Sequence, residues 1–341
     1  MHGDLPSGTV VSASMSAREW CSISTQKQEV CKMEEIEEKR TYRFGWLPDY
    51  PDFRDYTEDM KELKPMLRKT SVRSPDKVAK TVSLPASVDL RAWCSTVEDQ
   101  KALGSCTANA AAGIIEYFEL RAFGKYIDVS RLFIYKTTRN LMHVAGDTGA
   151  FLRSTMGAMV LFGVPPEEYW PYTDEKPGPS IIPEYHFDLE PPAFCYAFAQ
   201  NYQAIRYIRL DPPGIPKDTL LSRIKLYLAS GLPSMFGFAV YGSIRQATCT
   251  NGGKIPFPCP KEDQLGGHAI AAMGYDDKIK IKNTICGTET TGALLIRNSW
   301  GTGWGDGGYG WLPYEYVLKG GAVDFWALLR QEWVDTDQFK I

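Results

Sequence analysis

The spacing of apolar residues changes near residue 230, and this change limits the folds open to the chain. Before it, apolar residues recur three or four positions apart, which is the spacing of helices. After Gly231 they form short runs bounded by Gly, Pro and Asp, which is typical of strands. A helical half followed by a strand half predicts an α+β fold with a cleft between the halves.

The individual elements follow from these two patterns and from their end signals. Four helices are predicted, from Ser105 to about Ala122, from the N-cap Ser130 onward, from Phe151 to Phe162 and from about Asp218 to Ala229. Five strands are predicted, from Ser234 to Val240, His268 to Tyr275, Gly292 to Asn298, Gly308 to Pro313 and Val323 to Leu329.

Charge and hydropathy exclude two classes of partner. The 341 residues carry a formal net charge of −3, with 44% hydrophobic and 23% charged residues, which is ordinary for a globular chain. Without a basic excess we expect no nucleic-acid partner. Without an apolar run of about 18 residues we expect no membrane span. Residues 1–6 lack the regions of a conventional signal peptide, so the chain is expected to be cytoplasmic, exported by another route or trimmed of a leader.

The first 83 residues differ in composition from the rest. Residues 1–40 are polar, and the charged run at 33–40 predicts a solvated, weakly helical leader. Residues 44–56 interleave aromatics with prolines, which prevent a regular helix and favour an extended chain lying against another surface. A lysine-rich connector follows over residues 57–80. Continuously globular composition begins at Leu84.

Cysteine usage leaves the redox compartment open. The chain has eight cysteines, no Cys-x-x-Cys pair and only four histidines, so no structural zinc site is expected. Cys249 and Cys259 flank a Gly/Pro-rich stretch, where a disulfide between them and two buried thiols are both compatible with the sequence. Pairing also stays open for the remaining candidates, Cys21, Cys31, Cys94, Cys195 and Cys286.

One cysteine stands where a nucleophile would be activated. Cys106 follows Gly104-Ser105 and begins the first predicted helix, and the positive end of a helix dipole favours a thiolate. A thiol of ordinary pKa is mostly protonated at neutral pH, so an adjacent imidazolium would be needed as well.

Three further residues supply the groups that such a nucleophile requires. His268 begins a predicted strand, a rigid position for an imidazole. Asn298 ends a later strand, where its amide oxygen can accept a hydrogen bond from that imidazole and fix its tautomer. Gln100 precedes the helix and can donate, together with the backbone N–H of Cys106, to a developing oxyanion.

These motifs, in this order, resemble the papain-type (C1) cysteine peptidases. The resemblance rests on Gln100 with Gly104-Ser105-Cys106, Gly149-Ala150, His268-Ala269, Asn298-Ser299-Trp300-Gly301, and the glycine- and aromatic-rich run at 304–310. Residues 84–91 resemble the start of the mature enzyme in that family, and the likeness extends to about residue 330.

The resemblance implies a two-lobe fold with the active site in the cleft. The helical lobe would span about residues 100–210 and the β lobe about 211–335 of a peptidase domain at 84–341, preceded by a propeptide at 1–83. Cys106, His268 and Asn298 would form the triad, with Gln100 in the oxyanion hole. The implied reaction is hydrolysis of peptide or protein substrates through a thioester, as an endopeptidase or exopeptidase, without a metal or organic cofactor.

The resemblance also implies substrate contacts. Gly149 and Ala150 are expected to pair with the substrate backbone, although Gly149 also suits the start of a helix. Leu152 and Ala269 are expected to line the pocket for the second residue before the scissile bond, which would favour an apolar side chain. Trp300 either packs structurally or shields the hydrogen bond between Asn298 and His268 from water.

Two residues depart from the family signature, which has a cysteine and an aromatic around the nucleophile. Leu103 replaces the first and Thr107 the second, so a disulfide usually anchored there is missing. The variant Gly-Ser-Cys-Thr-Ala-Asn is similar to a bacterial and protist branch of the family. His268 and Asn298 also lie farther from Cys106 than usual, which insertions near 177–192 and 248–260 would explain.

Other functions remain compatible with the same residues. A catalytically silent homologue acting as a binding module is one, although it has no need of all four polar groups. A Cys-His acyltransferase is another, although such enzymes usually pair the histidine with aspartate.

The N-terminal segment is expected to lie across the cleft and to keep the chain latent. The alternative is a permanent structural belt on the back of the β half.

Overall fold

The computed structural model describes residues 42–53, 55–58, 60–70, 72, 84–175, 186–202 and 205–339. The solvated leader predicted for residues 1–40 lies outside these residues. Residues 40–341 form one compact unit. None of the helices within the described residues is long and apolar enough to cross a membrane.

Helices dominate the first half of the described chain, and three further helices lie between or after the strands of the second half. The helices are α1 (Lys64–Lys69), α2 (Cys106–Phe123), α3 (Arg131–Leu141), α4 (Leu152–Phe162), α5 (Ala193–Ala199), α6 (Lys217–Ala229), α7 (Tyr314–Leu318) and α8 (Gln331–Asp335). The four helices expected from apolar spacing correspond to α2, α3, α4 and α6.

Helix α2 lies at the centre of the molecule. Its residues 106–118 are all buried, so the helix is enclosed on every side. It ends at Gly124, whose φ of 69° is the left-handed conformation that terminates helices. Helix α3 begins as expected at Ser130, whose side chain accepts a hydrogen bond from the N–H of Phe133.

Most of the strands pair in one antiparallel sheet, which is built mainly from the second half of the chain. The strands are β1 (Trp46–Leu47), β2 (Ser87–Asp89), β3 (Ala150–Phe151), β4 (Ile205–Arg209), β5 (Ser234–Tyr241), β6 (Gln264–Lys282), β7 (Glu289–Arg297), β8 (Tyr309–Pro313) and β9 (Ala322–Arg330). The order in the large sheet is β4-β9-β5-β6-β7-β8, with β2 pairing on β6. All five predicted strands are present, and β6 is much longer than expected.

The sheet meets the helical layer where α2 packs against β6. His268 lies on β6 opposite Phe238 of β5, and β7 ends at Arg297, directly before Asn298. The short strands β1 and β3 form a separate parallel pair. A chain segment from the N-terminal region is therefore paired with the residues that precede α4.

Cys259 forms a disulfide with Cys286, with their Cα atoms 5.9 Å apart. This excludes a bond between Cys249 and Cys259. The sequence did not reveal the partner because Cys286 lies in the turn between β6 and β7, which only the pairing of these strands brings back to the 248–260 loop. Cys94, Cys106 and Cys195 are free thiols.

Candidate active site

Cys106 is the first residue of α2, as the sequence predicts. Its side chain is completely buried. The Sγ atom accepts a hydrogen bond from the backbone N–H of Ala269, with a separation of 3.4 Å. The thiol therefore lies between the positive end of the central helix and the strand that carries His268.

His268 and Asn298 are joined by a hydrogen bond of 2.8 Å between Nε2 and Oδ1. The Oδ1 atom also accepts from the N–H of Ser299 at 2.9 Å, which identifies it as the amide oxygen. Because an amide oxygen only accepts, Nε2 of His268 carries a proton and Nδ1 does not in the neutral ring. Within the described residues, Nδ1 is buried and has no hydrogen-bond partner.

Trp300 stacks on the imidazole of His268, with ring centroids 5.0 Å apart and an angle of 24° between the planes. Trp300 is itself buried. Its indole therefore excludes water from one face of the imidazole and strengthens the hydrogen bond to Asn298. This contact is compatible with both structural packing and shielding, the two roles expected for Trp300.

Gln100 is held next to the triad by the residues that follow Asn298. Its backbone N–H donates to the carbonyl of Ser299 at 2.8 Å, and its Oε1 accepts from the hydroxyl of Ser299 at 2.5 Å. These bonds leave its Nε2 to donate, at 2.8 Å to the carbonyl of Leu103 and at 3.0 Å to the carbonyl of Arg43. A backbone carbonyl of the N-terminal region thus occupies the donor expected to serve an oxyanion.

Residues 42–47, called the strap below, lie in the cleft. Gly45 accepts a hydrogen bond from the N–H of Ala150 at 2.8 Å. The approach is so close that a Cβ on Gly45 would lie 1.8 Å from the carbonyl oxygen of Gly104, and one on Gly149 would lie 2.3 Å from that of Gly45. Only glycine fits at these two positions, and Gly149 also has a φ of 76°.

Aromatic side chains of the strap cover His268 and Trp300. Tyr42 stacks on Trp300, with centroids 4.8 Å apart. Phe44 packs its ring against His268 with centroids 6.2 Å apart. Arg43 forms an ion pair of 3.0 Å with Asp147. These contacts close the cleft over the imidazole.

Trp46 fills a pocket between β5, β6 and β9. Its side chain is 7% exposed, and Cβ atoms on Gly237 and Gly267 would lie 1.9 Å and 2.6 Å from its ring. The indole Nε1 donates to Oδ2 of Asp324 at 3.2 Å. The two glycines therefore make the pocket wide enough for an indole, and Asp324 supplies an acceptor inside it.

Asp324 is fully buried and has a φ of 65°, a conformation that aspartate tolerates better than most residues. Its other oxygen, Oδ1, accepts from Nε1 of Trp326 at 2.7 Å and forms an ion pair with Arg209 at 3.3 Å. The carboxylate of Asp211 accepts from the N–H groups of Asp324 and Phe325. Burial raises the pKa of Asp324 to about 6, while Arg209 opposes that rise.

Burial favours the neutral forms of Cys106 and His268. It raises the pKa of the Cys106 thiol to about 11 and lowers the pKa of the His268 imidazole to about 4. Between these values the covered site holds a neutral thiol and a neutral imidazole. Both shifts oppose a thiolate–imidazolium pair in the covered cleft.

The structure brings most of the predicted site residues together. His268 contacts Asn298 and Trp300, and Gln100 is bonded to Ser299, which follows Asn298. Cys106 is linked to this group through Ala269, which follows His268, and Gly149 and Ala150 contact the strap. Ala269 contacts Sγ of Cys106, and Leu152 is buried at the start of α4. Nothing in the described contacts places either of these two in the Trp46 pocket.

Sequence reasoning missed the residues that form this pocket. Gly237, Gly267 and Asp324 are scattered over three strands, and no local pattern marks Asp324. The run of aromatics and prolines at residues 44–56 did mark the occupant of the pocket, since Trp46 belongs to that run.

One group of carboxylates lies outside the cleft. Glu98, Glu116 and Asp128 have oxygens within 4.8 Å of one another. Glu98 pairs with Arg131 at 2.9 Å and Glu116 accepts from Ser95. Burial raises the pKa of Glu98 to about 8, which Arg131 opposes, and that of Glu116 to about 7, which Ser95 and Arg297 oppose.

The family profile described as papain family cysteine protease matches residues 84–317, which is more than half of the chain. The chain belongs to the papain family. This confirms the family, the fold and the class of enzyme predicted from the motifs, a cysteine peptidase.

Known papain-family proteins resemble the chain over most of its length. An uncharacterized peptidase C1-like protein of Acanthamoeba polyphaga mimivirus is 32% identical over 84% of this chain and 86% of its own. The crystal structure of xylellain, a cysteine protease from Xylella fastidiosa, matches with a TM-score of 0.64 and 32% identity over 84% of this chain and 96% of its own. Digestive procathepsin L 3 of Tenebrio molitor shares the fold, with a TM-score of 0.52 and 18% identity over 94% of each chain.

Proposed function

We propose that this papain-family chain hydrolyses peptide bonds through Cys106, His268 and Asn298, and that its strap keeps it latent. The hydrogen bond of 2.8 Å between His268 and Asn298, next to a thiol at the start of α2, supports the triad. The donation from Gln100 Nε2 to the Arg43 carbonyl carries the proposal of latency, because a substrate oxyanion needs the same donor.

The reaction begins when the cleft is open. The Cys106 proton moves to Nδ1 of His268, and the thiolate attacks the scissile carbonyl carbon. The oxyanion accepts from Gln100 Nε2 and from the backbone N–H of Cys106. His268 then gives its proton to the leaving amine, and a thioester on Cys106 remains.

The second half of the reaction releases the acid product. His268, now neutral, takes a proton from water while the water oxygen attacks the thioester carbonyl. The thiolate leaves, and the imidazolium balances its charge. Asn298 holds the ring through Nε2 in both steps, so that Nδ1 always faces the reacting atoms.

Latency predicts that loosening the strap exposes Cys106. We expect Trp46→Ala to raise the rate at which an epoxysuccinyl thiol inhibitor labels Cys106 by about 10-fold or more, since a buried tryptophan anchors the strap with several kcal/mol. Tyr50→Ala is the matched control, because Tyr50 lies on the same segment with 88% of its surface exposed. The measurement is intact-mass labelling over time.

Each outcome of this experiment has a meaning. Equal labelling of the two variants and the unmodified chain would contradict latency by the strap. Labelling without hydrolysis of any peptide would point to a silent homologue, and transfer of the acyl group to an added amine in place of water would point to an acyltransferase.

The Trp46 pocket predicts which substrates are cut. If a substrate side chain takes the place of Trp46, a peptide with Trp at the second position before the scissile bond is expected to be cleaved about 100-fold faster than one with Glu. The reason is that a second carboxylate beside buried Asp324 costs several kcal/mol. The sulfur isostere β-(3-benzothienyl)alanine, which lacks the N–H, is expected to be about 10-fold slower than Trp.

Values of kcat/KM for these peptides check the pocket. If the Glu peptide, or a matched Arg peptide, were cleaved faster than the Trp peptide, the expected preference of the Trp46 pocket would be contradicted. The Arg peptide is informative because Arg209 already provides Asp324 with a guanidinium partner.

A further inference from the structure

We propose that residues 55–72 are a permanent part of the catalytic unit and that processing cuts the chain within residues 48–53. This rests on the proposed function, since it concerns how the latent enzyme is released. The described residues of 55–72 are called the belt, and residues 48–53 the connecting loop. Cleavage in the loop frees the strap and leaves the belt attached to the peptidase domain, although the sequence suggested a propeptide ending at residue 83.

The belt contributes apolar side chains to the main hydrophobic core. Leu63, Met66, Leu67 and Val72 are between 0% and 6% exposed and belong to the same buried cluster as the central helix. Helix α1, which carries two of them, packs against α8 at the end of the chain. Removal of the belt would expose this part of the core to water.

The belt also satisfies buried polar groups of the peptidase domain. The hydroxyl of Tyr227, a fully buried residue of α6, donates to Glu58 Oε1 at 2.8 Å. The backbone N–H of Arg209 on β4 donates to the carbonyl of Tyr56 at 2.9 Å. Without the belt both donors would lose these partners, and a buried polar group without a partner is destabilising.

A charged contact joins the start of the belt to the interior. Asp55 pairs with Arg209 at 3.3 Å and with Arg153 at 2.7 Å. Arg209 is only 1% exposed, and Asp211 and Asp324 also contact it. Asp55 therefore belongs to the ion network behind the Trp46 pocket. Removing one partner from a buried ion network destabilises the fold.

The connecting loop is different from the segments on both sides of it. Trp46 before it and Asp55 after it are buried, whereas Tyr50 and Phe53 are 88% and 92% exposed. The carbonyls of Asp49 and Tyr50 accept hydrogen bonds from Arg209 and Arg153, but the loop carries no residue of the hydrophobic core, whereas the exposed residues of the belt lie in or next to α1. A peptidase needs an accessible stretch of chain, which the loop offers. Hydrolysis there consumes one water and leaves a carboxylate on the strap side and an amine on the belt side.

The cut must be made by another molecule. The strap occupies the cleft of its own chain, with Gly45 bonded to Ala150 and Trp46 in the pocket. The loop follows the strap and cannot reach Cys106 while these contacts hold. A second, already active copy of this chain supplies the required hydrolysis.

The first test maps the cut in the full chain. The Cys106→Ala chain, which does not cut itself, is incubated with a trace of active enzyme, and the products are identified by intact mass. We expect the first large product to begin between residues 49 and 54 and to retain the belt. A first product that begins after residue 72 would overturn the proposal.

The second test compares two shortened chains, one beginning at Asp49 and one at Leu84. We expect the first to fold and the second to be insoluble or to lose about 10 °C or more in Tm. Equal Tm and activity in the two chains would overturn the proposal. Glu58→Gln in the longer chain, which keeps an oxygen acceptor for Tyr227, is expected to lose much less than Glu58→Ala.

These tests separate the belt from the proposed function. If the chain beginning at Asp49 folds but neither hydrolyses peptides nor reacts with the epoxysuccinyl inhibitor, the proposed function fails. The difference in Tm between the shortened chains still decides whether the belt is part of the fold.

Discussion

Replacing Cys106 by alanine in the chain that begins at Asp49 is expected to abolish peptide hydrolysis without unfolding the protein. The thioester cannot form without the sulfur, and loss of a catalytic nucleophile usually lowers kcat by about 10⁴-fold or more. Backbone groups, among them the N–H of Ala269, supply the hydrogen bonds to Sγ and stay in place in the variant, so the change in stability is small. The strap-free chain is used because latency would otherwise hide the loss.

Cys195→Ala is the matched control for this prediction. Cys195 is also a free and fully buried thiol, but it packs in a small cluster with Phe133, away from the cleft. We expect its removal to leave kcat/KM within a few-fold of the unmodified chain. Near-normal hydrolysis by Cys106→Ala, with Tm unchanged, would refute the assignment of the nucleophile.

The second large effect is expected in the reactivity of Cys106 as a function of pH. With a pKa of about 11 under the strap, only ~10⁻⁴ of the thiol is ionised at pH 7. In the open cleft, water and the start of α2 allow the thiolate to pair with protonated His268. We expect iodoacetamide to alkylate Cys106 about 10³-fold faster at pH 7 in the chain beginning at Asp49 than in the full chain.

The pKa of His268 determines in which direction pH changes the closure of the cleft by the strap. Because burial lowers its pKa to about 4, the covered cleft binds the neutral ring more favourably than the protonated ring. In the open cleft the paired thiolate raises the pKa of the ring above its ordinary value of about 6.5, so this contribution is complete only above that raised value and is lost as the pH falls toward 4. We therefore expect the alkylation rates of the two chains to converge below pH 6, and hydrolysis by the strap-free chain to be bell-shaped.

Alkylation rates from pH 4 to 10, followed by intact mass, check this prediction. A low-molecular-weight thiol measured in the same buffers corrects for the reagent. Equal rates in the full and shortened chains at pH 7 would contradict the effect of the strap on the thiol.

From the sequence, the N-terminal segment was expected either across the cleft or as a belt on the back of the β half. Residues 42–47 lie over the candidate catalytic residues, whereas the described residues of 55–72, which the sequence suggested as part of a charged connector, pack into the main core. The sequence pointed to an extended apolar segment because prolines and aromatics alternate there. It did not predict that the connector contributes to the core, because burial of Leu63 and Leu67 depends on which surface faces them.

Local sequence was enough to predict the order of the main helices and strands and to select the residues that meet in the candidate site. Helical spacing and the Gly124 terminator define α2, and short apolar runs define the strands of the sheet, because both depend on neighbours within a few residues. The positions of Cys106, His268 and Asn298 were also readable, since each stands at the start or end of an element with a distinctive short motif.

Only the tertiary structure decided how distant residues meet. The pairing of Cys259 with Cys286, the pocket around Trp46 and the charge state of the covered site all depend on contacts between strands far apart in the chain. Asp324 carries no local signal, and its role appears only when Trp46 donates to it across 278 positions of sequence. The pKa values of Cys106 and His268 likewise follow from burial, which is a property of the packed cleft and not of either residue's neighbours in sequence.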